Sequence, residues 1–264
     1  MVMYSKLVAD RRKSDEAVAA AFAEHGPAAA EAVRAMLAPH ARPGEATPDF
    51  GLLLTLFARH LEARGEAMQA ADQAHLAEQR DDGPAFAARD EAARAYGRSV
   101  VTVRGLLTDQ YGQDFGGRLA VSGPTPDDPN LLRAFGATFI RALRDFDPPP
   151  PDPEGLAVPF DKATTLAVLE RQHAALEEAL AAVQRERREL ETTQAAKDAA
   201  VAEHDFVFGV AATVLEAFLD AAGMSRFARR VRPSRRRPGR TAESVSEADT
   251  SPVPTPIVAP ETEA

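Results

Sequence analysis

The sequence predicts an all-α protein, and three observations predict it. The first is a heptad register that appears twice. Counting from Leu166, inward positions fall at Leu166, Leu169, His173, Leu176, Leu180, Val183, Arg187 and Leu190, with steps alternating between three and four. The same phase recurs 112 residues earlier as Leu54, Phe57, Leu61, Arg64, Met68, Ala71 and His75. Such spacing keeps one stripe of side chains turned toward a partner helix. The second is abundant Ala, the strongest helix former. The third is how few β-branched residues lie outside 99–103 and 207–214.

The elements follow in order. Residues 1–48 read as an N-terminal helical segment. Its helix spans about 13–38, with Val18, Phe22, Val33 and Met36 on one side. Gly26-Pro27 is expected to break it in two, because Pro suits a first helical turn and not an interior one. Pro39, Pro43, Gly44 and Pro48 mark a loop.

Residues 49–146 read as a first helical hairpin plus a short amphipathic helix. Its long helix ends near residue 80, where Arg80-Asp81-Asp82-Gly83-Pro84 is expected to turn, with Asp82 as N-cap. The return helix faces inward with Ala93, Tyr96, Val100, Val103 and Leu107, and Gly112 is a candidate C-cap. After a loop over 112–128, residues 129–145 form the amphipathic helix through Leu131, Leu132, Phe135, Phe139, Ile140 and Leu143. Residues 147–157, with four consecutive prolines, form a stiff linker.

Residues 158–224 read as a second hairpin. Its return stripe of Val201, Phe208, Ala211 and Leu215 lies 108 residues after Ala93, Val100, Val103 and Leu107. The match places a turn at Glu191-Thr192-Thr193-Gln194. The competing reading is one helix running through, since no Gly or Pro interrupts that stretch. Gly223 is the matching C-cap. Two similar hairpins predict an antiparallel four-helix bundle with coiled-coil packing and an internal repeat. Residues 225–264 read as an Arg-rich, then acidic, disordered tail. From about residue 233 large apolar groups are too few to offset chain entropy.

Composition limits the function. The 264 residues include no Cys, which excludes disulfides, thiol catalysis and cysteine-ligated metal. Met1 to Lys13 holds no apolar stretch suited to a signal peptide, and Phe206–Met224 carries Glu216 and Asp220, which disfavours a membrane span. The expected location is the cytoplasm. No nucleophile elbow or phosphate-binding loop is present. The chain therefore reads as non-enzymatic and without a cofactor, a scaffold or interaction protein that pairs with a protein partner or with itself through its helices.

Charge supplies the strongest site candidate. Arg226, Arg229, Arg230, Arg232, Arg235, Arg236, Arg237 and Arg240 fall within fifteen residues that hold no acid. Residues 241–264 hold five acids and no Lys or Arg. Setting these eight positive and five negative charges aside from the net −9 leaves −12 on residues 1–225. Clustered guanidinium groups bind phosphates and carboxylates through charge-assisted, forked hydrogen bonds. The cluster is therefore a candidate site for nonspecific nucleic acid, an anionic lipid surface or an acidic partner. The bland reading is that it folds back on the acidic body.

A second candidate is a metal site. Glu170 and His173 stand three residues apart on one helix face, as do Asp72 and His75. Carboxylate-bridged metal bundles use such steps in pairs at one depth. These two pairs lie 98 rather than 112 residues apart, so the repeat does not align them. The bland reading is a set of polar groups along the helix contacts. Arg64, Arg187 and His75 are read in the same way, as marking where helices splay.

Overall fold

The heptad register is unbroken where the sequence reading placed turns, and the helices are correspondingly long. The computed structural model describes residues 4–111, 123–147 and 160–243. It contains α1 (Lys6–Leu37), α2 (Phe50–Tyr111), α3 (Pro129–Asp145), α4 (Lys162–Ala221) and α5 (Ser225–Val231), with one 3-10 turn at Ala38–His40. No strand occurs among the described residues; the single β contact is an isolated bridge between Pro233 and Thr241. The all-α expectation holds.

The two hairpins do not form. α2 is one helix of 62 residues with Pro84 inside it, and α4 is one helix of 60 residues through Glu191–Gln194. The physical reason lies in the register. Asp72 and His75 are buried, as are Ala93 and Tyr96 21 residues further on, three whole heptads in each case, so the inward stripe keeps its line across Gly83-Pro84. In α4 the steps continue from Leu190 through Gln194, Lys197, Val201, His204, Phe208 and Leu215 without a slip. Pro84 removes one backbone donor and costs about 3 kcal/mol relative to Ala. Packing of the stripe on both sides of it outweighs that cost. Pro27 is a second case. α1 runs through Gly26-Pro27 as a single 32-residue helix, with Phe22, Gly26, Ala29, Ala30 and Val33 buried on both sides of the proline.

Helix ends follow the local chemistry. The Asp128 carboxylate accepts from the Asn130 and Leu131 amides at 2.9 Å, and Pro129 takes the first helical position. Asp49 accepts from the Leu52 amide, and Asp161 from the Thr164 amide. At the end of α4, Gly223 has φ +75°, the Met224 amide donates to the Leu219 carbonyl, and the Gly223 amide donates to Asp220. That paired arrangement is the Schellman motif, and Gly is what its left-handed position favours. Gly112 and the Pro-rich linker over 148–157 lie outside the described residues.

The chain divides into two units. One comprises residues up to Leu76 together with Thr193 onward, so it holds α1, the first part of α2, the last part of α4, and α5. Its core gathers Val18, Phe22, Leu54, Leu61, Phe208, Leu215, Leu219 and Val231. Here α2 and α4 run antiparallel: Arg64 meets Glu203, Asp72 meets Lys197, and His75 meets Thr193. The other unit, Ala77–Thr192, packs the end of α2 and the start of α4 around α3. Tyr96, Val100, Leu132, Phe139, Leu143, Leu169 and Leu176 form its core. Gly136 of α3 is buried beneath Tyr96, and a Cβ there would overlap the phenol ring. Tyr96 Oη has no hydrogen-bond partner among the described residues, and burial pushes the phenol well above its ordinary pKa.

The arginine segment is ordered through residue 243, contrary to the expectation of disorder from about 233. α5 is followed by a strap, residues 232–243. Its ends are tied by the Ser234 amide donating to the Arg240 carbonyl at 2.7 Å and the Ala242 amide donating to the Arg232 carbonyl at 2.8 Å. Residues 244–264 lie outside the described residues.

Candidate functional site: the arginine strap and the polar layer beneath it

The strap sits on a buried polar layer contributed by α1 and α4. In α1 the positions Val8, Arg11, Asp15, Val18 and Phe22 follow the heptad steps, so Arg11 and Asp15 interrupt an otherwise apolar stripe. In α4 His204 occupies the heptad position between Val201 and Phe208. His204 is fully buried. Its Nε2 donates to the Asp15 carboxylate at 2.9 Å and its Nδ1 to Asp205 at 3.3 Å. Arg11 donates to both Asp205 oxygens at 2.7 Å, the forked geometry specific to guanidinium.

Charge settles the protonation of this layer. Burial alone would lower the His204 pKa, but hydrogen bonds and attraction from Asp15 and Asp205 outweigh it and raise the pKa to about 9. Both ring nitrogens are then donors, consistent with a carboxylate facing each. Asp205 is also penalised by burial, yet Arg11 and His204 hold it below its ordinary value. Burial dominates for Asp15 and raises it despite His204. Two carboxyl groups thus face the Arg11 guanidinium and the His204 ring within the layer.

The strap closes over that layer. Gly239 has φ +71°, and a Cβ on it would overlap the Asp205 carboxylate and crowd Arg11 Nε. Arg240 Nη2 reaches Asp10 at 2.6 Å, and the buried Thr241 amide donates to Ser14 Oγ at 3.3 Å. A second buried pair stands nearer the other end of this unit. Asp72 takes Lys197 Nζ at 2.6 Å and the Ser5 amide at 2.7 Å. Burial would raise Asp72, and those two donors more than reverse it.

The eight arginines divide into two sets. Arg240 is bound to Asp10, Arg232 to Glu216 at 2.6 Å, and Arg230 to Glu243 at 3.5 Å. These tie the segment down. Arg226, Arg229, Arg235 and Arg236 are exposed and make no ion pair among the described residues. Arg237 is also exposed and makes an interaction within the chain. The fold-back of a basic segment onto acidic residues is therefore real for part of the cluster, while four exposed guanidinium groups have no acid partner among the described residues.

The metal candidates separate. Asp72 and His75 belong to one unit, Glu170 and His173 to the other. Each has protein partners. His75 Nδ1 meets Thr193 Oγ1 at 3.1 Å, Glu170 binds Arg144 at 2.7 Å, and His173 Nε2 meets the Arg133 carbonyl at 3.0 Å. The carboxylates that do converge, within 4.8 Å, are Glu78, Glu186 and Glu189, which are partly or fully exposed; acidic groups placed like these are common without an ion. Among the other polar positions, Arg64 binds Glu203 at 3.0 Å, and Arg187 is exposed.

The polar layer was not identified from sequence. Its signal was a register position: continuing the α4 stripe from Val201 lands on His204, and continuing the α1 stripe back from Val18 lands on Asp15 and Arg11. No helix among the described residues is long and apolar enough to cross a membrane. Comparison with protein-family models, with curated proteins and with solved structures finds no match for this chain.

Proposed function

We propose that this protein is a non-enzymatic helical scaffold that holds an anionic partner on the arginine segment 225–240. The observation that carries the reading is the division of the arginines. Three anchor the segment to acids of its own chain, and Arg226, Arg229, Arg235 and Arg236 stand outward without an acid partner among the described residues. Anchoring matters because a fixed cation array loses less conformational entropy on binding than a free tail does. Guanidinium groups favour phosphate and carboxylate oxygens. No aromatic ring other than Phe227 is interleaved with them, so base stacking gives the surface no sequence preference. The acidic remainder of the chain repels polyanions elsewhere and confines binding to this surface.

The reading is tested by titrating the full chain, and the variant Arg226→Ala/Arg229→Ala/Arg235→Ala/Arg236→Ala, against fluorescent duplex DNA, anionic vesicles and a polyglutamate peptide. The expected result is binding to at least one of these that the variant loses by tenfold or more, since four charge contacts each carry salt-dependent energy. Equal binding by both proteins to every probe overturns the reading. The preferred probe names the partner class.

A further inference from the structure

Beside the exposed arginines lies a groove of about 1200 Å³ between one face of α1 and the strap. Its α1 side runs from Lys6 to Glu24, about 27 Å of helix at 1.5 Å per residue. Leu7, Ala17, Ala20, Ala21, Phe227 and Val231 contribute apolar surface, and Leu7 is 43% exposed there. Lys6 and Lys13 stand on its α1 wall and make no ion pair among the described residues, while Arg230 faces them from the α5 side. Two acids share the α1 wall: Asp10 is paired with Arg240, and Glu24 stands beside His25 at the far end. The groove therefore joins an apolar floor to a wall whose cationic part is the Lys6–Lys13 end that faces Arg230.

We propose that this groove docks the acidic C-terminal segment of the same chain, residues 244–264, and that the docked segment competes with the anionic partner for the basic surface. The competition rests on the function proposed above; the docking does not. Three observations point to this occupant. The last described residue, Glu243, already lines the groove and pairs with Arg230 at 3.5 Å, so the chain departs from the groove itself. The segment carries four acids and no Lys or Arg, complementary to Lys6 and Lys13, and it offers Val245, Val253, Ile257 and Val258 to the apolar floor. Its 21 residues span up to about 70 Å when extended, well beyond the length of the groove. Tethering sets an effective concentration in the millimolar range, so contacts too weak for a free peptide suffice.

The chain has no cysteine, so one introduced thiol is labelled uniquely. The full chain carrying Ser251→Cys is labelled with a nitroxide, and amide signals are compared between its oxidised and reduced forms. The expected result is broadening concentrated at Leu7, Lys13, Ala17 and Ala21, and lost when Lys6→Glu and Lys13→Glu are added. No broadening there, or broadening that the two charge reversals leave unchanged, overturns the docking. A second full-chain variant, Glu247→Gln/Asp249→Asn/Glu261→Gln/Glu263→Gln, is titrated with duplex DNA. Several-fold tighter binding than the parent supports the competition, and equal binding by two chains that both bind overturns it. Absence of DNA binding by either chain overturns competition for that ligand and counts against the function proposed above, while the nitroxide result still decides the docking.

Discussion

Gly239 and Asp205 lie so close that the strap can cross the polar layer only where it has no side chain. The glycine backbone, at φ +71°, rests where any Cβ would meet the carboxylate that Arg11 and His204 hold in place. Gly239→Ala should therefore both strain the backbone and push the strap off its seat. An expected loss of about 1–3 kcal/mol follows from the left-handed conformation combined with steric overlap. Limited proteolysis after Arg235–Arg237 should become faster in the variant while overall helicity by circular dichroism stays the same. Unchanged cleavage would show that the strap is not seated by this contact.

The buried His204 makes stability fall at alkaline pH. Its folded pKa, about 9, exceeds the ordinary 6.5. The folded state thus binds this proton more tightly than the unfolded one does. The resulting stabilisation is fully present below about pH 6.5 and is lost as pH rises through 9; at most about 3 kcal/mol is involved. Asp205 has the opposite sign: its lowered pKa stabilises above its ordinary 3.8 and is lost as pH falls. Asp15, raised by burial, has the same sign as His204: its contribution is lost as pH rises through its folded pKa. Urea unfolding between pH 6 and 10 should show a declining midpoint in the parent and a flatter profile in His204→Gln. Parallel profiles would contradict the account.

Pro84 distinguishes one long helix from a hairpin. Inside a continuous α2 it removes a backbone donor, so Pro84→Ala should stabilise by up to about 3 kcal/mol. At a turn the same change would be neutral or destabilising. Thermal unfolding followed by circular dichroism decides between them through the direction of the midpoint shift.

Gly136 tests the packing of the other unit. With Tyr96 occupying the space a Cβ would need, Gly136→Ala should destabilise by about 1–3 kcal/mol through overpacking. The companion Tyr96→Phe removes a buried hydroxyl that has no partner among the described residues, and it should be neutral or stabilising. A loss of stability in Tyr96→Phe would reveal a partner for that oxygen.

The fold class was legible because it rests on register, and register is written in the sequence at every third and fourth residue. Leu54, Leu61, Met68, Leu169, Leu176, Leu180, Phe208 and Leu215 are all buried where the stripe places them. Gly83-Pro84 is a strong local turn signal and predicts a hairpin, but local signals yield when packing on both sides keeps one line. The whole-heptad spacing from His75 to Tyr96 carried the correct answer. The low apolar content of the strap predicts disorder and conceals its ion pairs to Asp10 and Glu216, contacts 230 and 16 residues away in the chain. Asp15, His204 and Asp205 were legible as polar residues at or beside stripe positions, but their convergence is a product of tertiary packing that no single-helix pattern encodes.

The measurement that bears most directly on the scaffold reading is the salt dependence of polyanion binding. Log Kd for duplex DNA is measured against log salt for the full chain and for Arg226→Ala/Arg229→Ala/Arg235→Ala/Arg236→Ala. If the four exposed arginines form the contact surface, the slope should shrink by up to about 3.6, at about 0.9 per lost phosphate contact. Identical slopes in two chains that both bind would place the anion elsewhere and contradict the account.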